Sequence, residues 1–551
     1  MPLLFVSSDT QRRISALLYY SVIVLFLAAV ALSIAYQTSY VVNTNPHIPF
    51  LEPDNYEYYL FAQLAVAHPA LTPANITNPY LINSPVGFFE HPGLYLIPVY
   101  FSSILPIPMI WVFRILQGLA VIVIYLFSLL IVKKVLDALP VSKIYHWMAY
   151  TIVITSFLIM QYTEITEWRG NEFMTAISLV IVYLMAWLYT KGYQPHRVWL
   201  VWLPVTALTL LAIWIWSAGG AVIVPLVTVL FFSFMLYNLF LHKHSNVWRY
   251  VAMAVVALSI LLFFFPAPIE NSISSITALG GFDGCLGSNL LNIGELQCLN
   301  ASNGLIAVLM MMVFGSFALA AFLGNTIMNT KRKEYEYYLF GVFMAAILFL
   351  PLALIFIRMV GLVAPYLTIL YALGIVAMLS YFSKSGSNRI VLSLTIILIL
   401  LSSFVGQYIF YISSMTLYNF ANPPGLVNAT MYMNSSVPDG TVLTYYGYGG
   451  YLEAFGHLRV YADTVQGLNY TKIIQIDRVF TSNSSVACQL IKSFVPKPDF
   501  IMLSENMLNS TAFVNVSNYS ILKEPSTFSD ACGYGLEYDE GGFFVYAHIN
   551  K

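Results

Sequence analysis

The sequence predicts a polytopic α-helical membrane protein that ends in a water-exposed domain of mixed α/β structure. Hydrophobic residues fill 59% of the 551 positions and charged residues only 9%, whereas a soluble domain carries about 25% charged residues. Apolar stretches of roughly 20 residues, each long enough to cross a bilayer, recur up to about position 410. Beyond that point the hydrophobicity falls, and turn residues, Asn and Ser become frequent.

Eleven membrane spans are predicted from the apolar stretches. They cover residues 15–36, 107–132, 146–162, 172–190, 197–216, 218–240, 249–265, 303–324, 336–357, 359–382 and 389–411. This divides the chain into a transmembrane domain over 1–411 and a soluble domain over 412–551. Two connecting segments are long, at about 37–106 and 266–302. In the soluble domain, short apolar runs alternate with helix-like stretches, which predicts a mixed α/β fold.

Basic residues predict the orientation in the membrane. The connections on one side carry them, from Arg12 and Arg13 before the first span to Lys384 and Arg389 around the last, and those on the other side carry almost none. Because basic loops stay in the cytoplasm, we predict a multi-pass protein of the cell membrane with a cytoplasmic N-terminus. Eleven crossings then put both long segments and the C-terminal domain outside.

All four cysteines lie in segments that are predicted to be external. Cys285 and Cys298 share the second long segment, and Cys488 and Cys532 share the C-terminal domain. Disulfides belong outside the cytoplasm, although sequence does not fix their pairing. The hypothesis is one bridge within each segment. The nine Asn-x-Ser/Thr sequons are external as well, which predicts glycosylation of some of them.

Acidic residues near the outer membrane surface are candidates for chemistry. They are Asp54, after the first span; Glu164, Glu167 and Glu172, in a short external turn; and Glu295, in the second long segment. Carboxylates from separate segments can converge on a hard cation such as Mg²⁺ or Mn²⁺, which neutralises a phosphate leaving group. The spacing of these residues by itself is also typical of solvated loop residues, and both interpretations stay open here.

Arg358 stands in the apolar run Leu354–Val360, at the external end of two adjacent spans. An ionised residue there is costly and usually faces a pocket, a partner or a phosphate. The planar guanidinium suits phosphate because it donates two bonds at once. The alternative is an arginine that snorkels to the interface. Arg114 has the same two interpretations with weaker support.

Several function classes lack their signatures. No HExxH, GxSxG, P-loop or CxxC pattern occurs in the chain. A net charge of −1 gives no reason to expect nucleic acid. A transporter is disfavoured because the two halves show no repeat and the polar residues gather outside rather than at mid-depth. The Gly-rich run Tyr445–Tyr451 lacks dinucleotide-loop spacing and predicts a turn packed by aromatic side chains.

The order of motifs resembles the catalytic subunit of oligosaccharyltransferase, most closely its single-subunit archaeal and bacterial forms, which are GT-C membrane glycosyltransferases. The matching segments are Asp54–Tyr59, Ser84–Gly87, His91–Leu94, Trp168–Glu172, Asn292–Glu295, Arg358 with Pro365, Tyr445–Gly449, Val460–Thr464 and Asn469–Thr471. The resemblance implies protein N-glycosylation, in which a glycan moves from a polyprenyl or dolichyl phosphate or pyrophosphate carrier to Asn in an Asn-x-Ser/Thr sequon.

The resemblance also implies residue roles. Asp54 and Glu295 would be catalytic and engage the acceptor amide. Mn²⁺ or Mg²⁺ would be held by Asp54, Glu172 and Glu295, with Glu167 as a further candidate, and Arg358 would bind the carrier phosphate. The acceptor-binding region would consist of Tyr445, Tyr446, Gly447, Tyr448 and Gly449. The implied partners are a polyprenyl-linked oligosaccharide, an acceptor polypeptide and membrane lipids, and we expect a single working subunit.

The chain departs from the family pattern in places. Gly170 stands where the second-loop pair has its first acid, and Gly447 stands where the WWDYG motif has its Asp, while both Trp of that motif are Tyr. The family usually has thirteen spans instead of eleven. Two alternatives therefore stay open. One is another GT-C enzyme that uses a polyprenyl-phosphate sugar and acts on a lipid, glycan or hydroxyl, and the other is a non-catalytic paralogue.

Overall fold

The computed structural model describes most of the helices and the greater part of the C-terminal domain. The described residues are 53–69, 77–82, 92–137, 143–160, 170–190, 195–215, 217–242, 335–355, 360–385, 425–463, 470–508, 521–523, 526, 528 and 532–549. Outside them lie four predicted spans (15–36, 249–265, 303–324 and 389–411) and the site candidates Glu167, Glu295, Arg358, Cys285 and Cys298.

Two short helices precede a bundle of long apolar ones. The short helices are α1 (Pro53–Ala67) and α2 (Pro92–Ile104). The bundle comprises α3 (Met109–Asp137), α4 (Lys143–Met160), α5 (Gly170–Thr190), α6 (Pro195–Ile215), α7 (Ser217–His242), α8 (Tyr335–Ile355) and α9 (Val360–Ser385). Each bundle helix coincides with one predicted span. The largest difference is at the C-terminal end of α3, which continues to Asp137 instead of ending at residue 132.

Two helices of the described part have the length of membrane helices, and one of them has a lipid-compatible surface. By length and composition, α3 and, from Glu172, α5 could each cross a membrane, and five further apolar helices are described over shorter stretches. Along α3 the exposed side chains Trp111, Ile115 and Leu119 follow one face at helical spacing. A soluble protein rarely leaves such a stripe to water, so this is the face that a helix turns toward lipid.

Helix α5 lies at the centre of the bundle and packs against α3, α6, α7, α8 and α9. The hydroxyl of Tyr366 on α9 donates to Oγ of Ser178 on α5, at 2.6 Å. A Cβ placed on Gly341 of α8 would lie 3.1 Å from the Phe234 ring and 3.2 Å from Val182. The small residue therefore lets α8 approach α5 and α7 closely, as small residues do in membrane bundles.

Helices α1 and α2 link the bundle to the C-terminal domain. Helix α2 packs on α3 and α6, and a Cβ on Gly93 would lie only 2.5 Å from the Ile215 Cα. Helix α1 packs on α2 and on a helix of the C-terminal domain, α11 (Gly449–Gly456). The first long connecting segment thus bridges the two parts of the molecule.

The C-terminal domain contains a five-stranded mixed sheet. Its elements are α10 (Gly425–Ser436), β1 (Thr441–Leu443), a 3-10 turn (Tyr446–Tyr448), α11 (Gly449–Gly456), β2 (Arg459–Val460), α12 (Tyr470–Thr481), α13 (Ser484–Lys492), β3 (Phe500–Ser504), α14 (Glu505–Leu508), a 3-10 turn (Ile521–Lys523), β4 (Tyr534–Glu540) and β5 (Phe543–His548). The strand order is β2-β1-β3-β5-β4. Strand β1 runs parallel to β2 and β3, whereas β5 runs antiparallel to β3 and β4.

Three strands and two helices of this domain match the sequence patterns that predicted them. The predicted strands were Thr441–Tyr445, Asp499–Leu503 and Phe543–Ala547, and the predicted helices were Tyr470–Phe480 and Ala487–Phe494. Strand β1 ends earlier than predicted, because Tyr445 leads into the 3-10 turn. All five residues of β3 are buried, since both faces of this central strand are covered. Cys488 is bonded to Cys532, one of the two bridges in the hypothesis.

Candidate functional site

Two of the predicted metal ligands lie in the described chain, each in the first turn of a helix. Asp54 is the second residue of α1, which begins at Pro53; proline is favoured at that position. Glu172 lies in the first turn of α5 and is only 4% exposed. Glu172 therefore lies at the end of α5 where the helix dipole places partial positive charge. Within the described ranges, no group of three or more His, Cys, Asp or Glu side chains could hold a metal.

The predicted acceptor region, Tyr445–Gly449, forms a tight turn directly after β1. The Tyr448 amide donates to the Tyr445 carbonyl at 3.0 Å, which closes the turn. The Tyr448 hydroxyl donates to Oγ of Ser504, at 3.0 Å, and Ser504 ends β3. Burial raises the pKa of Tyr448 to about 12, against a smaller lowering by the Ser504 bond. The neutral phenol therefore ties the turn to β3 across the physiological pH range.

The two glycines of this turn are held by different contacts. A Cβ on Gly449 would lie 2.5 Å from the Ala462 carbonyl oxygen and 2.9 Å from the Asp463 Cα. These are backbone atoms, so only glycine fits there without a shift of the chain. A Cβ on Gly447 would lie 2.6 Å from Cε1 of Tyr445. The Tyr445 ring thus covers the space into which a side chain at position 447 would project.

The turn lies at the edge of the sheet where α/β domains bind ligands. Strands β1, β2 and β3 are parallel, so their carboxyl ends share one edge. The chain leaves β1 for β2 on one side and returns to β3 on the other side, which reverses the strand order at β1 and β3. Ligands of open α/β sheets bind in the crevice at such a point. The Tyr448–Ser504 hydrogen bond spans these two strand ends.

A buried carboxyl group that the sequence analysis did not single out lies on α11. Glu453 is fully buried, and Oε2 accepts a hydrogen bond from Nδ2 of Asn78 at 3.0 Å. No described group forms a hydrogen bond with its Oε1. Burial is the main cause that raises the pKa of Glu453 well above its usual range, and the charge of the buried Asp463 is the second. The hydrogen bond from Asn78 lowers this pKa in part. The fold therefore favours the neutral form of Glu453.

The sequence did contain signals for this pair of acids. Asp463 belongs to the Val460–Thr464 segment of the resemblance. Glu453 is an acid inside the apolar stretch Tyr451–Phe455, in a chain with only 25 acidic residues. Four positions after Gly449, it is on the same face of α11 as the glycine that packs on Asp463. An acid in an apolar stretch is costly to bury unless it finds a partner, so its position marks it as a candidate.

Helices α1 and α11 meet through aromatic rings. Tyr56 packs edge-on against Tyr451 and Phe455, with ring centroids 5.1 and 5.5 Å away. Tyr59 stacks on Phe455 at 5.6 Å. Each such pair contributes about 0.5–1.5 kcal/mol beyond burial. Because Asp54 is two residues before Tyr56 and α11 begins at Gly449, this contact links the helix of the predicted catalytic acid to the predicted acceptor turn.

A second acid, also missed by sequence reasoning, lies on α12. Burial raises the pKa of Asp477 to about 7, and no described group forms a hydrogen bond with its Oδ1. Burial is the largest cause that raises the pKa of Tyr445, and the charge of Asp477 raises it further. Asp477 therefore lies near the turn that covers Gly447. Position 477 gives no such signal in sequence, because the surrounding helix is simply amphipathic.

Arg114, a weaker candidate in the sequence, is buried on α3 at 9% exposure. Its guanidinium lies over the Trp111 ring, 5.9 Å from the centroid. A cation over an indole face is a favourable contact. The guanidinium thus packs against the helix surface near the N-terminal end of α3.

The chain matches no protein-family model and no curated protein, but solved structures share its architecture. The archaeal oligosaccharyltransferase AglB from Archaeoglobus fulgidus, solved with an inhibitory peptide and a dolichol-phosphate, gives a TM-score of 0.59 at 14% identity over 96% of this chain and 74% of that one. ArnT from Cupriavidus metallidurans, bound to undecaprenyl phosphate, gives 0.53 at 10% identity over 96% and 98%.

A third structure of the same kind is the arabinofuranosyltransferase AftD from Mycobacteria. It gives a TM-score of 0.51 at 13% identity and covers 96% of this chain and 40% of that one. All three likenesses extend over nearly the whole chain, bundle and C-terminal domain together, as the order of sequence motifs indicated. The chain therefore has the fold of the GT-C membrane glycosyltransferases.

Proposed function

We propose that this protein is a membrane glycosyltransferase of the oligosaccharyltransferase type. It transfers a glycan from a polyprenyl or dolichyl phosphate or pyrophosphate carrier to the Asn side chain of an Asn-x-Ser/Thr acceptor. The observation that carries the proposal is the packing of α1, with Asp54, on α11, which starts at the acceptor turn. The fold likeness to AglB, a protein solved with a peptide and a dolichol-phosphate, supports it.

The metal part of the proposal rests on the donor set. Asp54, Glu172 and Glu295 offer only carboxylate oxygens, which suit Mg²⁺ or Mn²⁺ and not soft metals. Glu172 fits this role, because it is a buried carboxylate in a chain with few acids. A divalent cation at these residues would supply positive charge to the leaving phosphate. Glu167 is an additional candidate ligand.

The residues of the chain would then divide the chemistry between them. The bond between the anomeric carbon and the carrier phosphate oxygen would break as the acceptor amide nitrogen forms the new C–N bond. The phosphate would leave with the electron pair of the broken bond, and the amide proton would pass to Asp54 or Glu295. Asp54 and Glu295 would accept hydrogen bonds from the amide N–H groups. These bonds would reduce delocalisation of the nitrogen lone pair. Arg358 would hold the departing phosphate through two charge-assisted hydrogen bonds. Such electrostatic stabilisation usually supplies the largest share of catalysis.

A second candidate function has one structural observation in its favour. Residue 447 is Gly where the family motif has an acid, and the Tyr445 ring fills the space into which a carboxylate at that position would project. A different acceptor, such as a lipid, a glycan or another hydroxyl, fits that change. The fold likeness to ArnT and AftD is compatible with this GT-C alternative.

A transfer assay separates these functions. Detergent-purified protein, Mn²⁺ and a lipid extract with a verified donor pool would be mixed with a fluorescent Asn-x-Thr peptide or its Gln-x-Thr control. We expect a mass shift on the Asn peptide alone, which EDTA abolishes and Mn²⁺ restores. If neither peptide shifts, the oligosaccharyltransferase proposal is wrong. Transfer to hydroxyl or lipid acceptors in the same extract would then support the alternative, and transfer to none would indicate a non-catalytic paralogue.

The proposed location follows the charge pattern. The N-terminus would be cytoplasmic, and the acceptor turn and the C-terminal domain would face the outside of the cell membrane. A membrane-impermeant thiol reagent applied to intact cells tests this after replacing an exposed position such as Ser435 by Cys. Labelling without permeabilisation is expected. Labelling only after permeabilisation would show that the C-terminal domain faces the cytoplasm.

A further inference from the structure

The first external segment and the C-terminal domain are joined by a compact set of contacts, here called the loop–tail joint. It consists of residues 78–82, strand β2, and the facing surfaces of α1 and α11. Leu81 forms a parallel bridge with Val460. The Val460 amide donates to the Tyr80 carbonyl at 2.8 Å, and the Ile82 amide donates to the Val460 carbonyl at 2.9 Å. The loop thus extends the sheet beyond its edge strand.

Asn78 and Glu453 provide the buried polar contact of the joint. Both polar atoms of the Asn78 side chain form hydrogen bonds: Oδ1 accepts from the Tyr80 amide at 2.9 Å, and Nδ2 donates to Glu453 at 3.0 Å. Both side chains are buried, at 3% and 0% exposure. The contact connects residues 375 positions apart in sequence, so it depends on docking of the two parts and cannot form within either one.

The protonation state of Glu453 affects whether the joint stays closed. A neutral carboxyl group can be buried beside Asp463, whereas an ionised one would place two carboxylates together in a low-dielectric site. The titratable groups on the surrounding elements are Asp54, Tyr56, Glu57, Tyr58 and Tyr59 on α1, Tyr80 on the loop, Tyr451 on α11, His457 after it, Arg459 on β2, and Tyr461 and Asp463 after β2. Asp463 is the one whose charge raises the pKa of Glu453. Ionisation of Glu453 therefore opposes docking.

The position of α11 gives this joint a consequence for the reaction. The N-terminus of α11 is Gly449 of the acceptor turn, and its middle contacts α1, which carries Asp54 at its second position. A shift of α1 relative to α11 would move Asp54 relative to the turn. Misplacement by about 1 Å can cost a factor of about 100 in rate.

We propose that Glu453 is a positioning residue for glycosyl transfer: through its hydrogen bond with Asn78 it keeps the helix of Asp54 docked on the helix that begins at the acceptor turn. This role rests on the proposed function. Glu453 touches no reacting atom, and it acts through the relative placement of α1 and α11. The expected kinetic signature is a change in kcat at nearly constant KM for the acceptor, because each half of the site remains intact.

The test compares three variants of the full chain in detergent. Asn78→Asp keeps the acceptor for the Tyr80 amide and removes only the donor to Glu453, while it adds a charge. Glu453→Gln keeps an acceptor for Asn78 and cannot ionise. Glu537→Gln, an exposed acid on β4, is the matched control. Transfer kinetics from pH 6 to 9.5 would be measured together with hydrogen exchange of residues 53–67 and 77–82.

Once the pH is high enough to ionise Glu453, the wild type is expected to lose kcat and exchange protection. Glu453→Gln should flatten both profiles. Asn78→Asp should lower kcat at pH 8 by about tenfold or more, with an acceptor KM within about twofold and faster exchange of both peptides. Glu537→Gln should behave like the wild type.

Two results overturn the proposal. If Asn78→Asp transfers glycan at the wild-type rate, or leaves exchange of both peptides unchanged, the bond does not position α1. If Glu453→Gln follows the wild-type pH profile, the neutral acid is not the pH-sensitive group. An inactive wild type with every acceptor would instead refute the proposed function, and the positioning role with it. The exchange data would still show in that case whether Asn78 and Glu453 hold the joint together.

Discussion

The bundle and the C-terminal domain satisfy their buried polar groups in different ways. In the bundle, Ser and Thr hydroxyls donate to carbonyls of their own helix, as Ser178 does to Thr175 and Thr209 to Val205, at 2.8 Å each, and Tyr366 adds a bond between two helices. Buried side chains of the C-terminal domain also pair with residues far away in sequence, as Tyr448 does with Ser504 and Glu453 with Asn78 of the first long segment. Local pairing leaves the bundle to be organised by packing, whereas the C-terminal domain needs its whole fold before any one of these bonds forms.

The largest effect in this comparison is expected from the Cys488–Cys532 disulfide. It closes a 44-residue separation, and the chain-entropy estimate for such a loop is about 4 kcal/mol. Replacing both cysteines by Ser should therefore destabilise the C-terminal domain by about that amount and leave the bundle unchanged. Hydrogen exchange at increasing urea, read separately for peptides of the two parts, measures this. An unchanged midpoint for the C-terminal peptides would show that the bridge does not constrain the unfolded domain.

The next effect concerns two glycines of the C-terminal domain, of which only Gly449 lies close to backbone atoms of another segment. Gly449→Ala should destabilise the C-terminal domain by about 3 kcal/mol, because the new methyl group meets backbone atoms of residues 462 and 463. Gly535→Ala is the control, since its Cβ would meet only side-chain atoms at 3.4 Å or more. Urea unfolding followed by exchange of C-terminal peptides compares them. Equal stability of the two variants would contradict the assigned role of Gly449.

A third effect depends on pH and is confined to the C-terminal domain. The pKa of Asp477 is raised to about 7 by burial, so the folded state binds its proton more tightly than the unfolded state, and stability falls as pH rises from about 4 to 7. The shift corresponds to at most about 4 kcal/mol, and partial solvent access reduces it. Asp477→Asn should therefore stabilise the domain by about 1–2 kcal/mol at pH 8 and have little effect at pH 4.

Thermal unfolding of the wild type and of Asp477→Asn at these two pH values checks this prediction. The curves of the two proteins should converge as the pH falls. A variant that is less stable than the wild type at pH 8 would mean that the ionised carboxylate is favoured in the fold, against the direction that burial imposes.

The smallest effect is expected in the bundle, where helix packing carries most of the stability. The Tyr366–Ser178 bond connects α9 to α5, and interhelical hydrogen bonds in membranes contribute about 0.6 kcal/mol on average. Tyr366→Phe and Ser178→Ala should each cost little, with a coupling energy near that value in a double-mutant cycle. Unfolding in mixed micelles measures it. A coupling energy above about 2 kcal/mol would show that the bundle, like the C-terminal domain, depends on hydrogen bonds between distant residues.

Sequence reasoning succeeded where one physical constraint acts along the chain. All seven bundle helices of the described residues coincide with predicted spans, because bilayer thickness fixes the length of an apolar stretch. In the C-terminal domain the predicted strands and helices largely match, but α10, α11, β2 and β4 were not predicted. Strand β2 has two residues, too few for a periodic pattern, and it is defined by its pairing with β1 and with the loop.

For the candidate site, sequence reasoning named the Tyr445–Gly449 turn and Glu172, whose roles stay predictions, but it did not name the groups around the turn. Asp477 is an ordinary helix position by pattern, Glu453 was marked only by its apolar neighbours, and the environment of both arises from burial by distant segments. The role of Tyr445 was also hidden, because only the folded turn brings its ring over Gly447. The metal set and Arg358 remain predictions from the resemblance.

The sequence alone determined the helical membrane architecture, the predicted order of site motifs and the presence of a mixed C-terminal domain, since hydropathy, residue spacing and turn chemistry are local properties of the chain. Only the tertiary structure decided how α1 docks on α11, which acid is buried beside Asn78, and what fills the space at Gly447. These features depend on contacts between residues hundreds of positions apart. Their energies come from desolvation and close packing, and both exist only once the separate parts have met.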